Sequence, residues 1–442
     1  MNAQSHFNEL VDWACQQIQG NEVLLAGFSG EDSDFVRLNG GAVRQAGSVS
    51  QRSLSLDLVE GARHADGEIR LSGDTTIDRG RIQTLMDQLR EIRAVVPEDP
   101  YLLYAQGDAS SERIDARTLP PTEDALAAIT AAGTGQDMVG IFASGDTFSG
   151  FANSLGQRNW FQTATFNFDW CFYLHADKAA KNTYAGFSWD DSAFARKVAW
   201  SAEQLEALGR DPIDLTPGDY RTYLAPAAVN ELTDMLSWGG FGLKAHRTKQ
   251  TPLLKMATDG ATLHPSITIT EATAAGTAPN FSDSGFARPD SITLIEAGRL
   301  AKHLVSPRSA QEYDTETNGA NAYEVPTSLA VAPGDLAVDD VLGRLDEGLY
   351  VGNLWYLNFS DRAACRTTGM TRFATFWVRG GEVVAPVNVL RFDDTAYRVL
   401  GTNLEALTDS SEVLLDPGTY HERSTASTTV PGALISEMSF TL

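Results

Sequence analysis

The spacing of the histidines differs from that of a zinc hydrolase. Such enzymes place two histidines on one helix face, with a glutamate beside the first that acts on the metal-bound water. The one His-Glu pair is His421-Glu422, and threonine and alanine stand four and five positions after His421. No two of the seven histidines are four or five residues apart. Each is therefore more typical of a surface or hydrogen-bonded histidine, although a pair of His246 and His264 from separate elements remains conceivable.

Motifs for phosphate binding and for a nucleophilic serine are also missing from the sequence. It has no Gly-Lys pair, which a P-loop needs, and no Gly-x-Ser-x-Gly, which presents the serine of many hydrolases. The Gly-rich stretch 133–140 follows an Ala-rich helical stretch rather than a strand, so we interpret it as a loop. The polar stretch 418–428 brings serine, threonine, histidine and glutamate together, and clusters of this kind are typical of ordinary loops.

Cys365 is the cysteine whose neighbours are of a type that activates a thiol. Arg362 and Arg366 flank it, and nearby positive charge lowers the pKa of a thiol. These residues allow two interpretations, a reactive thiol and an unreactive cysteine in a turn.

The amino-acid composition indicates which partners the protein does not bind and in which compartment it works. The chain of 442 residues has 34 basic and 58 acidic side chains, a formal net charge of -24. This balance argues against binding to a phosphate backbone or to an anionic membrane surface. Cys15, Cys171 and Cys365 lie far apart, which favours a reducing compartment. With no signal-like N-terminus and no apolar run of about 18 residues, we expect a cytoplasmic protein.

Hydrophobic periodicity predicts a mixture of helices and strands in the first half of the chain. The predicted helices are 5–20, 75–96, 122–132 and 191–208, and the predicted strands and hairpins are 23–30, 34–47, 53–61, 140–156 and 160–176. The strongest strand signal is 160–174, in which aromatic residues such as Phe166, Phe168 and Trp170 alternate with polar ones. We expect this strand at the centre of a sheet, with its even-numbered face buried against helices and its other face polar. An aromatic platform for a ligand is the alternative interpretation of that even-numbered face.

The second half is predicted to be rich in strands. A Pro- and Gly-rich segment, 209–220, marks the expected domain boundary. A helix at 227–237 follows, and beyond residue 250 most apolar runs are short and are cut by glycine or proline. The predicted class is α+β, with an N-terminal α/β sandwich-like domain (1–212) followed by a β-rich C-terminal domain (213–442).

Five blocks of the sequence, taken in order, resemble the TldD/PmbA family, whose members are described as metalloproteases and as modulators of DNA gyrase. The blocks span nearly the whole chain, and together they are more specific than any one of them. They are DFVRLNGGAVRQAGSVSQRSLSLDLVEG (34–61), DLTPGDYRTYLAPAAVNEL (214–232), DSGFARPDSITLIEAGRLAKHLVSPRSAQEYDTETNGA (283–320), TTGMTRFATFWVRGGEVVAPVNVLRF (367–392) and VPGALISEMSF (430–440).

The resemblance implies that the catalytic zinc belongs to a different chain. The TldD branch of the family carries HExxxH on the first helix of the C-terminal domain, and a cysteine near the C-terminus as a further ligand. Here the corresponding stretch, 227–245, contains no histidine, and 418–442 contains no cysteine. Cys365 does not match the ligand position. The chain thus resembles the TldE/PmbA branch, the subunit that pairs with TldD into a heterodimeric protease enclosing a cavity.

Three functions remain open from the sequence. The first is a non-catalytic subunit that shapes the cleft for unfolded peptides, with no catalytic or metal-binding residue and no cofactor of its own, while a TldD-like partner supplies the zinc. The second is a hydrolase with a rearranged site, using Cys365 or scattered histidines. The third is a stand-alone homodimer that binds peptides without chemistry. For the substrate cleft, the candidate residues are Trp238, Gly239, Gly240, Arg247, Arg366 and Arg372.

Overall fold

Two β-sheets, formed by successive parts of the chain, organise the protein. The computed structural model describes residues 2–115, 117, 119–176 and 178–441. The predicted α+β class is confirmed, because each part combines helices with a mostly antiparallel sheet. None of the described helices is long and apolar enough to cross a membrane.

The first sheet has the strand order β3-β2-β1-β5-β6-β4, and β7 pairs with β6 on the same edge as β4. The predicted hairpin turn at Gly40-Gly41 is confirmed between β1 and β2, and both glycines have the positive φ that this tight turn needs. The predicted helices correspond to α1–α4. The elements of this part are α1 (Ala3–Cys15), β1 (Val23–Asn39), β2 (Ala42–Glu60), β3 (Arg63–Arg70), α2 (Thr75–Arg93), β4 (Ser111–Ile114), α3 (Thr122–Ala132), β5 (Asp137–Asn153), β6 (Arg158–His175), β7 (Lys178–Gly186) and α4 (Asp191–Leu208).

The aromatic face of β6 belongs to the core. Phe166, Phe168 and Trp170 are buried, with the last two rings stacked at 4.7 Å and Phe194 of α4 packed against them. This confirms the predicted strand and its buried face, and the aromatic-platform alternative is wrong.

Two details of the β6 prediction are wrong. The strand lies one position in from the edge of the sheet, not at its centre, since β4 and β7 share its outer side. Its polar face is also covered: Thr163, Thr165 and Asn167 are buried. The segment 416–426, more than 240 residues further along the chain, contacts Thr165 and lies beside Asn167, which no local pattern could reveal.

The second sheet closes on itself. Its path is β11-β10-β9-β12-β18-β16-β14-β13-β8, β18 pairs with β8 as well, and β15 and β17 extend it. The prediction of a strand-rich second half is confirmed. The predicted domain boundary, 212/213, falls between α4 and β8 and stays a prediction. The elements of this part are β8 (Gly218–Leu224), α5 (Pro226–Ser237), α6 (Leu243–Arg247), α7 (Leu254–Thr258), β9 (Ile269–Glu271), β10 (Ile292–Glu296), β11 (Arg299–Leu300), α8 (Pro307–Glu312), β12 (Ser328–Val331), α9 (Val341–Leu345), β13 (Gly348–Asp361), β14 (Arg366–Arg379), β15 (Glu382–Pro386), β16 (Arg391–Thr395), β17 (Leu404–Leu415) and β18 (Ser427–Phe440).

Helix α5 packs against the inner strands of this second sheet and confirms the helix predicted at 227–237. Pro226 lies in its first turn, where the missing N–H costs no hydrogen bond. Val229, Leu232 and Leu236 lie on its buried side, within the largest hydrophobic cluster. The opposite side of α5 stays polar and partly open to solvent.

Candidate functional site

The polar side of α5 is the candidate site. Asn230, Asp234 and Trp238 follow one another at intervals of four residues and therefore lie along one side of the helix and its C-terminal cap. Glu231 lies beside this row. Asp234 and Trp238 are exposed, and Trp238 is 59% accessible.

Asp234 of this row and Glu231 beside it have raised pKa values. Although Asp234 has an exposed edge, the surrounding protein desolvates its carboxylate, and the nearby Asp416 adds repulsion. These effects raise the pKa of Asp234 to about 6, against the opposing effect of the amide of Asn230, which donates to Oδ2 over 3.1 Å. Burial and the charge of Asp234 also raise the pKa of Glu231, while Lys181 opposes the shift. With this pKa, Asp234 can exchange protons near neutral pH.

The donor atoms of α5 do not fit a hydrolytic zinc ion. Glu231 is the one glutamate of this helix, so it alone could take the glutamate position of HExxxH. The two histidine positions then fall on Asn230 and on Met235, whose side chain is buried. Within the described ranges, no group of three His, Cys, Asp or Glu side chains is arranged to hold a metal ion. Two acids and an amide suit harder cations than zinc.

Arg362 stabilises the turn after α5. Sequence reasoning considered this residue only as a neighbour of Cys365. Its guanidinium donates to the carbonyl oxygens of Trp238 and Gln250. It also lies over the ring of Trp238, 5.3 Å from the centroid. Gly239 has φ +82°, and a Cβ there would lie 2.7 Å from Nη2 of Arg362. The turn therefore needs glycine for its backbone and for space.

The structure brings some of the predicted cleft residues together and separates others. Trp238, Gly239 and Gly240 form the turn after α5, and Arg247 lies on α6, which follows directly. The guanidinium of Arg247 lies over the ring of Tyr313 at 5.9 Å.

The other two predicted cleft residues lie on β14. Arg366 is bound to Asp393 of β16 by an ion pair of 3.0 Å, and Arg372 lies over the rings of Trp355 and Phe373. The ion pair gives Arg366 a structural partner.

The interpretation of Cys365 as a reactive thiol is wrong. Its side chain is fully buried, and burial raises the pKa of the thiol to about 12. The flanking arginines are engaged elsewhere, as described above. Its N–H donates to the carbonyl of Arg362 over 3.0 Å and its φ is +49°, which confirms the turn interpretation.

The pair of His246 and His264 does not form. His264 is hydrogen-bonded to Ser266 over 2.8 Å. His246 instead packs against His303, with ring centroids 4.3 Å apart. Burial lowers the pKa of both members of this pair, that of His303 to about 4, so both rings are neutral at pH 7.

Sequence reasoning missed a contact between the segment 416–426 and the first sheet. Arg423, in the segment 416–426, reaches the covered face of β6 and donates to the carbonyl and hydroxyl oxygens of Thr165 over 3.0 and 2.6 Å. It also donates to the carbonyl of Gly145 over 3.2 Å. A shallow pocket beside it is lined by Asn167 and Asp416, the residue that also faces Asp234. The only sequence signal was the polar composition of 418–428.

The sequence pattern of the PmbA/TldA metallopeptidase C-terminal domain matches residues 217–442, just over half of the chain. The chain belongs to the TldD/PmbA family. The family match covers the strand-rich second part with α5, and it confirms the resemblance read from the five sequence blocks. A search of curated proteins returns no match.

Solved structures that resemble this TldD/PmbA family member share its fold over nearly the whole chain. TldE from Thermococcus kodakarensis is 13% identical with a TM-score of 0.78, and the alignment covers 99% of this chain and 100% of that one. A protein of Thermotoga maritima, described as a candidate modulator of a DNA gyrase, is 12% identical with a TM-score of 0.74 over 99% and 100% of the two chains. A Bacteroides thetaiotaomicron protein with a similar description is 14% identical, with a TM-score of 0.75 over 99% and 98%.

Proposed function

We propose that this chain is the TldE/PmbA-like, non-catalytic subunit of a TldD/TldE-type metalloprotease that acts on unfolded peptides in the cytoplasm. A TldD-like partner with HExxxH supplies the zinc, the glutamate base and the hydrolytic water. This chain supplies one wall of the cleft, built from the polar side of α5 and the turn Trp238–Gly240.

The proposal rests on one observation, the side chains that α5 offers at the positions of the zinc ligands. A hydrolytic zinc site needs three protein ligands and an open position for water. The side chains at the two histidine positions are an amide and a buried thioether, and neither replaces imidazole in such a site. Family membership and the fold shared with a protein named TldE support the assignment to this branch.

Reconstitution with a partner tests the proposal. The chain is purified alone, a family member that contains HExxxH is purified alone, and the two are mixed and analysed by size-exclusion chromatography with light scattering. We expect a one-to-one complex that cleaves an unfolded peptide, with chelator-sensitive activity absent from this chain alone. A matched partner variant with its HExxxH glutamate replaced by glutamine should still form the complex and lose the activity.

Two outcomes contradict the proposal. Cleavage by this chain alone would indicate a rearranged hydrolase. The chain would be a stand-alone binding protein if it formed a stable homodimer that binds peptide and formed no complex with any HExxxH protein encoded by a neighbouring gene.

A further inference from the structure

The segment that follows α5 is positively charged in a strongly acidic chain. Residues 235–258 contain four basic residues and no acidic one, whereas the whole chain has 58 acidic residues against 34 basic. Lys244, Arg247 and Lys249 of this segment are exposed. The local excess of positive charge therefore faces solvent.

These cations are not neutralised by neighbouring carboxylates. Among the described residues, Lys244, Arg247 and Lys249 form no ion pair. Glu324, a buried acid beside this segment, already accepts the backbone N–H groups of Lys244 and Ser306. Their side-chain charges are therefore available to a ligand.

Arg362 and Trp238 extend the cationic area with an aromatic surface. Arg362 donates to the carbonyl of Gln250, which places it against the turn that carries Lys249. Its guanidinium lies over the neighbouring rings of Trp238 and Phe359, 5.3 and 4.9 Å from their centroids. Tryptophan and arginine are among the residue types enriched in binding hot spots at protein interfaces. We name the group formed by Trp238, Lys244, Arg247, Lys249 and Arg362 the basic-aromatic surface.

We propose that the basic-aromatic surface binds acidic segments of the unfolded peptide substrate, an inference that rests on the proposed function. The surface begins at the C-terminal end of α5, at the end of the row Asn230, Asp234 and Trp238, so a peptide held there lies next to the candidate cleft. Carboxylate side chains pair with the lysines and with Arg247, and an apolar side chain packs on the exposed ring of Trp238. Glu231 and Asp234 of α5 repel the same carboxylates, which fixes the acidic segment at the turn and not along the helix.

A peptide fits this surface better than a nucleic acid does. Nucleic-acid sites need cations spread along a backbone with one charge every few ångströms. The basic-aromatic surface is compact, and the net charge of -24 repels a long polyanion as a whole.

Fluorescence anisotropy on the full chain tests the proposal. The probes are a labelled, unstructured peptide rich in glutamate and the same peptide with every glutamate replaced by glutamine. We expect the acidic peptide to bind roughly tenfold more tightly, with the difference lost as the ionic strength rises from about 0.05 to about 0.5 M.

Two double variants with equal charge change separate a local effect from a global one. Lys244→Glu with Lys249→Glu should weaken binding of the acidic peptide roughly tenfold. Arg44→Glu with Arg63→Glu changes two exposed arginines elsewhere by the same total charge and should weaken binding less than about twofold. Trp238→Ala should weaken binding of both peptides, because it removes the aromatic contact but no charge.

Three results would overturn the inference: equal affinity for the acidic and the glutamine peptide, equal weakening by the two double variants, or tighter binding of a single-stranded oligonucleotide of matched charge. The binding assay needs no partner subunit, so it fails independently of the proposed function. Selective acidic-peptide binding without cleavage in any mixture would leave this surface assigned and contradict the proposed function. Cleavage by the mixture without selectivity for the acidic peptide would contradict this inference alone.

Discussion

Replacing Arg423 by methionine should release the segment 416–426 from the covered face of β6. Arg423 is 9% exposed, and although burial lowers its pKa to about 10, the guanidinium remains charged at neutral pH. It donates hydrogen bonds to Thr165, to Gly145 and, over 3.4 Å, to Ser33. Methionine matches the aliphatic part of the arginine side chain and removes all of these donors.

These contacts give the free energy of docking that the segment 416–426 should lose in the variant. Removing one partner of a buried, charged hydrogen bond costs about 1.5–3 kcal/mol. The variant loses contacts to three residues, but it also avoids the desolvation of the buried guanidinium, which offsets part of the sum. We therefore expect the docking of the segment to weaken by about 3 kcal/mol, which corresponds to roughly a hundredfold faster exchange of its backbone amides.

Hydrogen exchange read by mass spectrometry measures this change directly. Peptides covering 416–426 and the middle of β6 should both lose protection in Arg423→Met. Arg379→Met is the control, because Arg379 forms an exposed ion pair of 3.0 Å with Glu347, worth less than about 1 kcal/mol. If 416–426 exchanges within about twofold of the wild-type rate in Arg423→Met, the reasoning about this contact is wrong.

Three further predictions follow from the site and its surroundings. Gly239→Ala should lower the free energy of unfolding by about 2 kcal/mol, because it combines a positive φ with displacement of the Arg362 guanidinium from the carbonyl of Trp238. In Gly260→Ala, where φ is also positive and the space is open, the loss should be about 1 kcal/mol, and equal urea midpoints would contradict the role of Arg362. The Cys365 thiol should resist iodoacetamide in the native protein and react only after denaturation, as mass spectrometry of the labelled peptides would show; native labelling at pH 8 would contradict its burial. The folded pKa of His303, about 4, lies below its ordinary 6.5, so its contribution to stability is complete above pH 6.5 and is lost as the pH falls toward 4, by about 2 kcal/mol after allowance for partial exposure. Urea unfolding across this range should show a shallower pH dependence in His303→Gln, and an unchanged slope would contradict the assignment.

Local periodicity was enough to predict the elements that carry the site. The alternation around Phe166 and Phe168 identifies β6, and the spacing of Val229, Leu232 and Leu236 identifies α5, because each pattern records which face is buried. Helix ends were less certain: the predicted helix 75–96 ends at Arg93, since Pro97 limits the helix without fixing its last turn.

Contacts between distant parts of the chain could not be predicted in the same way. The pairing of β18 with β8 closes the second sheet, and it joins strands separated by about 200 residues with no local signal. The polar side chain of Thr165 belongs to what looks like a solvent-facing row, but Arg423 covers it. A polar face and a covered polar face have the same sequence pattern.

For the candidate site, too, local features could be predicted from the sequence and contacts between distant residues could not. The absence of imidazole from α5 was readable from the sequence, whereas the engagement of Arg362 with the turn after Trp238 was not. The proximity of Arg362 and Arg366 to Cys365 in sequence suggested an activated thiol. In the folded chain these guanidiniums have other partners, and the effect of burial on the thiol outweighs that of their charge.

The zinc content of the purified chain tests the central claim most directly. The chain is expressed with zinc in the medium, purified without chelator and measured by inductively coupled plasma mass spectrometry, alongside an HExxxH family member handled identically. The account predicts far less than one zinc per chain here and stoichiometric zinc in the partner. One tightly held zinc per chain, removed by a chelator together with a peptidase activity of this chain alone, would contradict it.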